Sequence, residues 1–359
     1  MQETAYDVVI LGAGPAGSNL ARRIDSRAMR VLLVDGEPLR GEKVCAGLLS
    51  PDAQDLLAAY DISLPRELLV TPQLFSVRTI DLACDTVRHY RRSYMNIDRA
   101  AFDRFLRGMV PPTVAQLQAR ATRVRQTDSG YQVETVADGR TETLTCRYLI
   151  GADGASSLVR RSLFPGQRLL QYTAIQQWFA AGESNPYYSC IFDAETSPGC
   201  SWIFFKNGQM IFGGAFEKQG CRAAFEKQKQ RLIARGFVSA SAFCAPQRTE
   251  ACLVSRPRLL GDILLGRGGA FLVGEAAGLI SPSSFEGISY ALASSEALAA
   301  SLSLASSEKE ALRLYRRRAA PLCRKVRLRC LKRPFMYHPP LRRLILKTGL
   351  CALQMKGEA

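Results

Sequence analysis

The stretch DVVILGAGPAGS, residues 7–18, decides the fold. Its apolar run VVIL predicts a strand that is buried on both faces. Three glycines follow at the spacing G-x-G-x-x-G, which predicts a tight turn and then a helix. The first glycine permits the turn, the second lets a diphosphate approach the backbone, and the third lets the helix pack closely. We therefore expect this turn to bind the phosphates of a dinucleotide through Gly12, Gly14, Pro15, Ala16 and Gly17.

A second parallel strand is predicted at residues 31–34, VLLV, and it ends at Asp35. A carboxylate at this point accepts hydrogen bonds from the hydroxyls of an adenosine ribose, and its charge disfavours a 2′-phosphate. We therefore expect Asp35 to bind the cofactor. The alternative is an ordinary strand-turn-helix unit with a capping aspartate, and this segment alone does not exclude it.

Two later segments also place glycines after predicted buried strands. They are LIGADGASSLVRR at residues 149–161 and FLVGEAAGLISPSSFEGISYA at residues 271–291. The first segment alone is a weak signal, because many nucleotide-binding sheets begin in that way. All three in this order favour one FAD-binding site assembled from distant parts of the chain. They therefore favour an enzyme over a binding module.

The composition excludes several other classes of site. The chain has 359 residues, 47% of them hydrophobic and 22% charged, which is ordinary for one large globular domain or two interleaved ones. Its 11 cysteines are scattered without a C-x-x-C pair, and there are only two histidines, so we expect no metal site. There is no apolar run long enough to span a bilayer, and the chain enters a strand pattern at once. We expect a cytoplasmic protein.

The positive charge is concentrated at the C-terminal end. The net charge is +16, and residues 309–359 hold fifteen Lys or Arg and two Asp or Glu, a balance of +13. The basicity thus belongs to a C-terminal appendage, whose basic residues alternate with Leu, Ile and Val. This pattern fits peripheral contact with the anionic inner surface of a membrane. It also fits helices that cover the core and expose a basic face to solvent. Nucleic acid is disfavoured as a partner, since no recognised binding module accompanies the charge.

Two kinds of sheet are predicted along the chain. We expect an α/β, Rossmann-type FAD-binding domain, a parallel sheet with helices, built from residues 1–73, 92–165 and 256–305. Alternating aromatic segments predict an interleaved antiparallel-sheet substrate domain of residues 74–91 and 166–255. A basic helical region, residues 306–359, completes the chain, with its helices interrupted at Pro321, Pro334 and Pro339.

Beyond these patterns, the chain resembles the FAD-dependent oxidoreductase superfamily of p-hydroxybenzoate hydroxylase-like monooxygenases and geranylgeranyl reductases. Within it, the chain is most similar to the geranylgeranyl reductase branch and its bacterial CbrA-type flavoproteins. The matching motifs are GADGASS at residues 151–157 and R-x-x-F-D-x-x-L at residues 99–106. The resemblance implies that Asp153 braces loops near the flavin diphosphate and that Arg99 contacts FAD.

The third glycine segment departs from the family at one residue. The family has G-D-A-A-G where this chain has GEAAG, so Glu275 replaces the Asp that binds the ribityl or diphosphate region. The resemblance implies a contact from Glu275 that is either direct at altered geometry or mediated by water. It also implies that the backbone N–H groups of Gly287 and Ile288 face the flavin pyrimidine ring at a helix N-terminus and stabilise the anionic reduced flavin.

Residues 43–47, KVCAG, resemble the K-P-C-G-G loop that lies against the isoalloxazine in the reductase branch. Lys43, Cys45, Ala46 and Gly47 are therefore expected to contact the cofactor, although Val44 replaces Pro and Ala46 replaces Gly. Cys45 is a candidate to protonate a substrate carbon or to tune the flavin. The alternative is that it packs as a small apolar residue.

Residues 199–206, GCSWIFFK, resemble the Y-x-W-x-F-P segment of the substrate sheet, with Cys200 in place of Tyr and Phe205 in place of Pro. We expect an aromatic, apolar substrate pocket. Its predicted lining is Trp178, Tyr188, Phe192, Trp202 and Phe204. The alternative for each of these residues is ordinary sheet core.

The sequence supports three hypotheses of function. The first is an FAD-dependent oxidoreductase that reduces C=C bonds of an apolar isoprenoid or lipid-like substrate by hydride transfer from reduced flavin. The second is a flavin-dependent monooxygenase of the same superfamily. The third is a non-enzymatic flavoprotein that binds the membrane according to its redox state. One dinucleotide fingerprint is present, and FAD is expected to occupy it. The resemblance implies that electrons come from transiently bound NAD(P)H or from a protein donor.

Overall fold

The computed structural model describes residues 4–36, 43–181, 185–258, 260–349 and 351–353. The chain divides into two compact units, each built from three stretches. Unit 1 is Met1–Lys43, Ala100–Leu170 and Ser255–Leu328, and unit 2 is Val44–Arg99, Gln171–Val254 and Arg329–Ala359. These units differ from the predicted domains, which gave residues 44–73 and 92–99 to the FAD-binding domain. Those residues lie in unit 2 because Tyr94 pairs with Leu74 in the sheet of that unit, and Leu48 and Leu49 pair with the adjoining Asn96 and Met95.

Unit 1 is built on an eight-stranded sheet whose centre is parallel. The strand order is β15-β16-β9-β1-β2-β6, and β7 and β8 continue from β9 as an antiparallel branch. Elements are numbered along the chain. The strands are β1 (Thr4–Leu11), β2 (Val31–Asp35), β6 (Ala115–Gln118), β7 (Arg120–Thr127), β8 (Gly130–Ala137), β9 (Arg140–Gly151), β15 (Gly266–Arg267) and β16 (Ala270–Leu272). The helices are α1 (Pro15–Arg23), α3 (Arg99–Gly108), α4 (Leu158–Leu163), α6 (Ile288–Leu304) and much of α7 (Glu308–Tyr337).

The predicted strand-turn-helix at the start of the chain is present. Val8, Val9 and Ile10 of β1 are fully buried, as a central parallel strand requires. The helix α1 begins at Pro15, whose fixed φ and missing N–H suit the first helical position.

Unit 2 is built on a nine-stranded sheet. Its strand order is β14-β10-β13-β12-β11-β4-β5-β17, with β3 paired to β5. The strands are β3 (Leu48–Leu49), β4 (Leu74–Asp81), β5 (Thr86–Asn96), β10 (Leu170–Ala180), β11 (Tyr187–Phe192), β12 (Cys200–Lys206), β13 (Gln209–Phe216), β14 (Arg248–Arg256) and β17 (Ala352–Leu353). The helices are α2 (Pro51–Ala59), α5 (Cys221–Ala234) and α8 (Pro339–Thr348). One sheet face packs against α5 through a core that includes Phe179, Phe212, Phe225 and Leu232.

The basic C-terminal segment is more regular than the sequence predicted. The interruptions predicted at Pro321 and Pro334 are wrong, because α7 continues through both prolines, and the chain breaks only before Pro339. A proline inside a helix costs about 3 kcal/mol through its lost hydrogen bond and its ring clash. Burial of the apolar face of α7 offsets that cost. The buried residues of α7 are Ala311, Tyr315, Ala319 and Val326.

The C-terminal segment is also not an appendage to the folded body. In unit 1, the hydroxyl of Tyr315 donates a hydrogen bond to the carbonyl of Leu272 at 2.9 Å. In unit 2, β17 pairs with β5, and Arg342 of α8 is buried in an ion pair with Asp81 of β4. Among the described residues, no helix combines the length and the apolar character that crossing a bilayer requires.

The Arg342–Asp81 pair joins α8 to β4 by two hydrogen bonds. The Nη2 of Arg342 donates to Oδ1 of Asp81 at 3.0 Å, and its Nε donates to Oδ2. Burial disfavours the charged carboxylate, but the hydrogen bonds from Arg342 and neighbouring donors hold the pKa of Asp81 below its usual value. The carboxylate is thus the ionised partner in the folded protein.

Replacing Arg342 with Met is expected to lower the free energy of unfolding by about 3–5 kcal/mol, because Asp81 stays buried without its charge partner. Wild-type stability from this pair is present above the unfolded pKa of about 3.9 and is lost as the pH falls through the lower folded pKa. Denaturant titration of R342M beside R343M, which removes an exposed arginine, measures the difference. Equal losses in the two variants would contradict a buried pair.

Candidate functional site

The three glycine segments meet at one edge of the unit 1 sheet. Adjacent parallel strands place their carboxyl ends at the same edge, and here these strands are β16, β9, β1 and β2. The turn after β1 is joined to β2 by the N–H of Gly12, which donates to the carbonyl of Val34 at 2.9 Å. The turn after β9 is joined to β1 by the N–H of Ala152, which donates to Leu11 at 2.9 Å. The structure therefore places all three segments side by side.

The glycine turn after β1 has the shape that a diphosphate requires. Gly12 has a φ of +103°, and a Cβ there would lie 2.7 Å from the carbonyl oxygen of Ala152. A Cβ on Gly17 would overlap the carbonyl oxygen of Gly12, so the helix can approach the turn only without a side chain. A Cβ on Gly14 would meet nothing within 4 Å. The space over Gly14 is open, as close approach of a phosphate to the backbone requires.

The N-terminus of α1 is free to receive an anion. Gly14 is its N-cap residue, no side chain caps it, and no acidic residue lies in its first turn. The first N–H groups of any helix lack partners within the helix and carry a partial positive charge. This end of α1, with Pro15, Ala16 and Gly17 in its first turn, fits the diphosphate of FAD.

Asp35 lies where the sequence predicted, at the end of β2, but it has a partner that the sequence did not reveal. Arg107 of α3 forms an ion pair with its carboxylate, and the side chain of Asp35 is buried. The role of Asp35 toward an adenosine ribose stays a prediction. Because α3 is amphipathic and Arg107 lies in its last turn, only the packing of α3 could show that these two charges meet.

Asp153 holds the turn between β9 and α4. Its Oδ2 accepts a hydrogen bond from the N–H of Leu158 at 2.6 Å, and burial raises the pKa of its carboxyl. Its other oxygen, Oδ1, is buried and has no hydrogen-bond partner among the described residues. A bracing role within the turn is therefore visible, and contact with the flavin diphosphate stays a prediction.

Arg160 joins the second glycine segment to the third, and sequence reasoning missed it. The buried guanidinium donates to the carbonyl oxygens of Gln167, Asp262 and Ala276, at distances between 2.8 and 2.9 Å. Burial lowers its pKa to about 10, so it remains charged near neutral pH. The only sequence signal was its place in the string GASSLVRR, which gives no hint of these partners.

Glu275 holds two parts of unit 1 in place. Its Oε1 accepts from the backbone N–H of Ser255 at 2.7 Å, and its Oε2 accepts from the ammonium of Lys43 at 2.6 Å. The carboxylate is buried, whereas the side chain of Lys43 is 43% exposed. The added methylene of Glu275, relative to the Asp of the family motif, is thus used to reach Lys43 and Ser255. The structure brings together two residues that were predicted separately.

The third segment also packs against the first. A Cβ on Gly274 would lie 3.3 Å from the Cβ of Ala16 in α1. Gly287 is the N-cap of α6, and Ile288 is its first helical residue. The carboxylate of Glu286 accepts hydrogen bonds from the N–H and hydroxyl of Ser289, at 3.0 and 2.9 Å. Contact of Gly287 and Ile288 with a flavin ring stays a prediction.

The other predicted cofactor residues lie in unit 2. Gly47 has a φ of +61°, and its N–H points to Sγ of Cys45 at 3.4 Å. The carbonyl of Gly47 accepts from the N–H of Ile97 at 2.9 Å, two residues before Arg99 begins α3. Within unit 2, the loop with Cys45, Ala46 and Gly47 is thus fixed beside the start of α3.

Four of the five predicted pocket aromatics pack in one cluster on a face of the unit 2 sheet. Phe204 is buried with Leu74 and Ile211. Half-buried side chains pack against this cluster, and they are Ala46, Leu48, Tyr94, Trp178, Tyr188 and Trp202. Both indoles are oriented by hydrogen bonds. The Nε1 of Trp178 donates to Glu250 at 2.8 Å, and that of Trp202 donates to Gln176 at 3.3 Å. We call this surface the aromatic face.

Phe192 lies under the C-terminal segment of unit 2. Its ring centroid is 5.5 Å from that of Tyr337, and the guanidinium of Arg342 is 4.7 Å from its centre. These contacts account for its burial without a ligand. Phe192 lies in the same sheet as the other four aromatics, and its place in the lining of a substrate pocket stays a prediction.

Two family models match the chain. A model described as an FAD binding domain matches residues 107–328. The chain belongs to the FAD-binding domain family. A second model, described as lycopene cyclase protein, matches residues 7–189. Together they cover all three glycine segments of unit 1.

The matched relatives extend over nearly the whole chain. Protein CbrA of Escherichia coli O6:H1 is 40% identical over 354 residues, which is 96% of this chain and 94% of that protein. Protein CbrA of Shigella sonnei is also 40% identical, over 96% of this chain and 97% of that protein. The predicted resemblance to CbrA-type proteins is confirmed.

The fold is shared with several solved structures. A geranylgeranyl bacteriochlorophyll reductase-like protein from Thermoplasma acidophilum aligns with a TM-score of 0.78 at 18% identity, over 92% of this chain and 86% of that chain. The p-nitrophenol 4-monooxygenase PnpA of Pseudomonas putida DLL-E4 aligns with a TM-score of 0.68 at 15% identity, over 99% of this chain and 100% of that chain. The predicted fold class is confirmed.

Shortening Glu275 to Asp is expected to break one of its two contacts, because the carboxylate moves back by about 1.5 Å. Loss of a charge-assisted hydrogen bond should cost about 1–3 kcal/mol of apoprotein stability and weaken FAD binding. Glu275→Gln keeps the length and the Ser255 contact, so its apoprotein should be the more stable of the two. Thermal unfolding and flavin titration of the apoproteins measure both effects.

The matched control is Glu296→Gln, which removes a surface ion pair with Arg23 in the same unit. Its effect should be within about 1 kcal/mol, with FAD binding unchanged. An E275D protein as stable and as well loaded with FAD as wild type would show that the two contacts do not depend on the length of Glu275.

Proposed function

We propose that this protein is an FAD-dependent oxidoreductase that reduces a C=C bond of an apolar, isoprenoid or lipid-like substrate. The observation that carries the proposal is the aromatic face of unit 2. Trp178, Tyr188 and Trp202 remain half-buried there, although the opposite face of the same sheet is closed by α5. Aromatic side chains that are oriented by single polar contacts are typical of apolar ligand sites. Burial also raises the pKa of Tyr188 well above its usual value, so this phenol stays neutral.

The residues of unit 1 are the ones proposed to bind the cofactor. Bound FAD, when reduced, supplies hydride at its N5 atom. The first turn of α1 would hold the diphosphate, Asp35 would select a ribose without a 2′-phosphate, and Lys43, held by Glu275, would add a positive charge beside the anionic cofactor. The electron source is proposed to be NAD(P)H or a protein donor.

The names of similar proteins support an isoprenoid substrate. One matching family model is named for lycopene cyclase, and one protein with the same fold is called geranylgeranyl bacteriochlorophyll reductase-like. Lycopene and geranylgeranyl groups are both unsaturated isoprenoids. A neighbour of the same fold is a p-nitrophenol monooxygenase, so the experiment must separate reduction from hydroxylation.

Anaerobic turnover separates these reactions. Dithionite-reduced enzyme is expected to saturate double bonds in a panel of polyprenyl alcohols and diphosphates, detected as mass gains of hydrogen pairs. Trp202→Ala should lower kcat/KM for long substrates by about tenfold or more, because the aromatic face loses a large contact area. Oxidation of NAD(P)H that requires substrate and O₂, with oxygen in the product, would instead establish the monooxygenase alternative.

We propose a second role for the end of the chain, as a contact with an anionic membrane surface. Of the nine large hydrophobic residues that are exposed in the described part of the chain, six lie between residues 328 and 353. In unit 2 they include Leu331 and Phe335 of α7 and Leu344 and Ile345 of α8. Basic residues interrupt them, among them Lys332, Arg333 and Arg343. Exposed apolar side chains among cations fit the interface of an anionic bilayer.

Vesicle sedimentation tests this contact. Wild-type protein should bind vesicles that contain phosphatidylglycerol, bind phosphatidylcholine vesicles weakly, and be released by salt. The double variant L331Q/F335Q should lose most of the binding. The control Leu304→Gln alters an equally exposed leucine of unit 1 and should bind normally. Binding that follows the flavin redox state, without need of an apolar substrate, would favour the non-enzymatic hypothesis.

A further inference from the structure

A buried lysine lies on the aromatic face of unit 2. Lys206 is the last residue of β12, and its alternation with Trp202 and Phe204 places it on their side of the sheet. Its side chain is buried, yet no carboxylate in the described part of the chain lies within ion-pair distance of it. Burying an unpaired ammonium is costly, so its presence beside the predicted substrate aromatics calls for a reason.

The ammonium of Lys206 is held in a fixed position. It donates a hydrogen bond to the carbonyl of Ile97 at 2.5 Å and lies 5.8 Å from the ring centre of Phe204. Gly47 makes room for it, because a Cβ on this glycine would overlap Nζ of Lys206. The same glycine directs its N–H toward Sγ of Cys45. Cys45 and Lys206 therefore both lie against Gly47.

The surroundings make this ammonium a ready source of a proton. Burial is the largest influence and lowers the pKa of Lys206 to about 8 from the usual 10.5. The charged and titratable groups that face it are Cys45 in the loop, Asp98 and Arg99 at the start of α3, and Glu250 of β14. Glu250 is already engaged by Trp178 and Gln176. The ammonium form is therefore populated at neutral pH and becomes the minor form above about pH 8.

We propose that Lys206 is the proton donor that completes reduction of the substrate double bond on the aromatic face. This inference rests on the proposed reductase function. Hydride adds to one alkene carbon, and the electron pair of the broken π bond forms the second C–H bond with the proton from Nζ. Lys206 is left as a neutral amine, which a buried site tolerates, and regains its proton from solvent.

A second buried lysine offers a matched control. Lys229 of α5 lies on the opposite side of the sheet, donates to Gln177 at 2.9 Å and pairs with Glu226. Its surroundings are the closed core of Phe179, Phe225 and Phe243. Lys229→Met removes a buried ammonium of the same size without touching the aromatic face.

The test compares holoenzymes of wild type, Lys206→Met, Lys206→Arg, Cys45→Ser and Lys229→Met in single-turnover reduction of a polyprenyl substrate across pH 6 to 10. Wild-type and K229M rates should fall above about pH 8, as the donor loses its proton. At pH 7, K206M should be slower than wild type by about a hundredfold or more. Its rate should not fall above pH 8. K206R keeps the charge but holds its proton, so it should also be slow, whereas the rate of C45S should still fall as the pH rises.

Two measurements separate this inference from the reductase proposal and from misfolding. Electron transfer from reduced flavin to ferricyanide forms no C–H bond and should be unchanged in K206M. Because the unfolded state binds the extra proton between about pH 8 and 10.5, wild-type stability should rise with pH in that window, and K206M should lack the rise. A K206M enzyme with the wild-type pH profile, or a C45S enzyme whose rate no longer falls as the pH rises, overturns the inference alone. A wild type that saturates no double bond overturns the reductase proposal and this inference together.

Discussion

The parallel pairing of β1 with β9 on one side and β2 on the other is the constraint on which the cofactor site depends. Every turn that leaves the carboxyl end of these strands must share one edge of the sheet. The helix α1 can then reach the sheet only because Gly17 lies directly on the carbonyl of Gly12. Close packing of this turn leaves open space over Gly14 and an uncapped helix N-terminus, which is what binding of a diphosphate needs.

Buried charges hold the loops around that edge. Arg160 binds three carbonyl groups from separate turns, and Glu275 binds Lys43 and the backbone of Ser255. A buried ion that loses such partners carries a large desolvation penalty, so each of these groups fixes the positions of chain segments far apart in sequence. The same principle operates in unit 2, where Arg342 and Asp81 join α8 to β4.

The two faces of the unit 2 sheet differ in how their polar groups are used. Beneath α5, the ammonium of Lys229 is paired and surrounded by aromatic core. On the aromatic face, the indoles of Trp178 and Trp202 and the ammonium of Lys206 each have a fixed direction, while much of the aromatic surface stays half-buried. Closed packing accounts for the first face, and ligand binding is the function proposed for the second.

The sequence by itself determined the strand-turn-helix at residues 8–23, the order of the three glycine segments and the aromatic alternation of β10 to β13, because these depend on local conformation and on periodicity. Only the tertiary structure showed that Asp35 meets Arg107, that Glu275 meets Lys43, and that Lys206 is buried beside the loop of Cys45. It also showed that α7 continues through Pro321 and Pro334. These outcomes depend on which distant side chains come into contact and on whether burial outweighs a local penalty, and neither is visible in the spacing of residues along a chain.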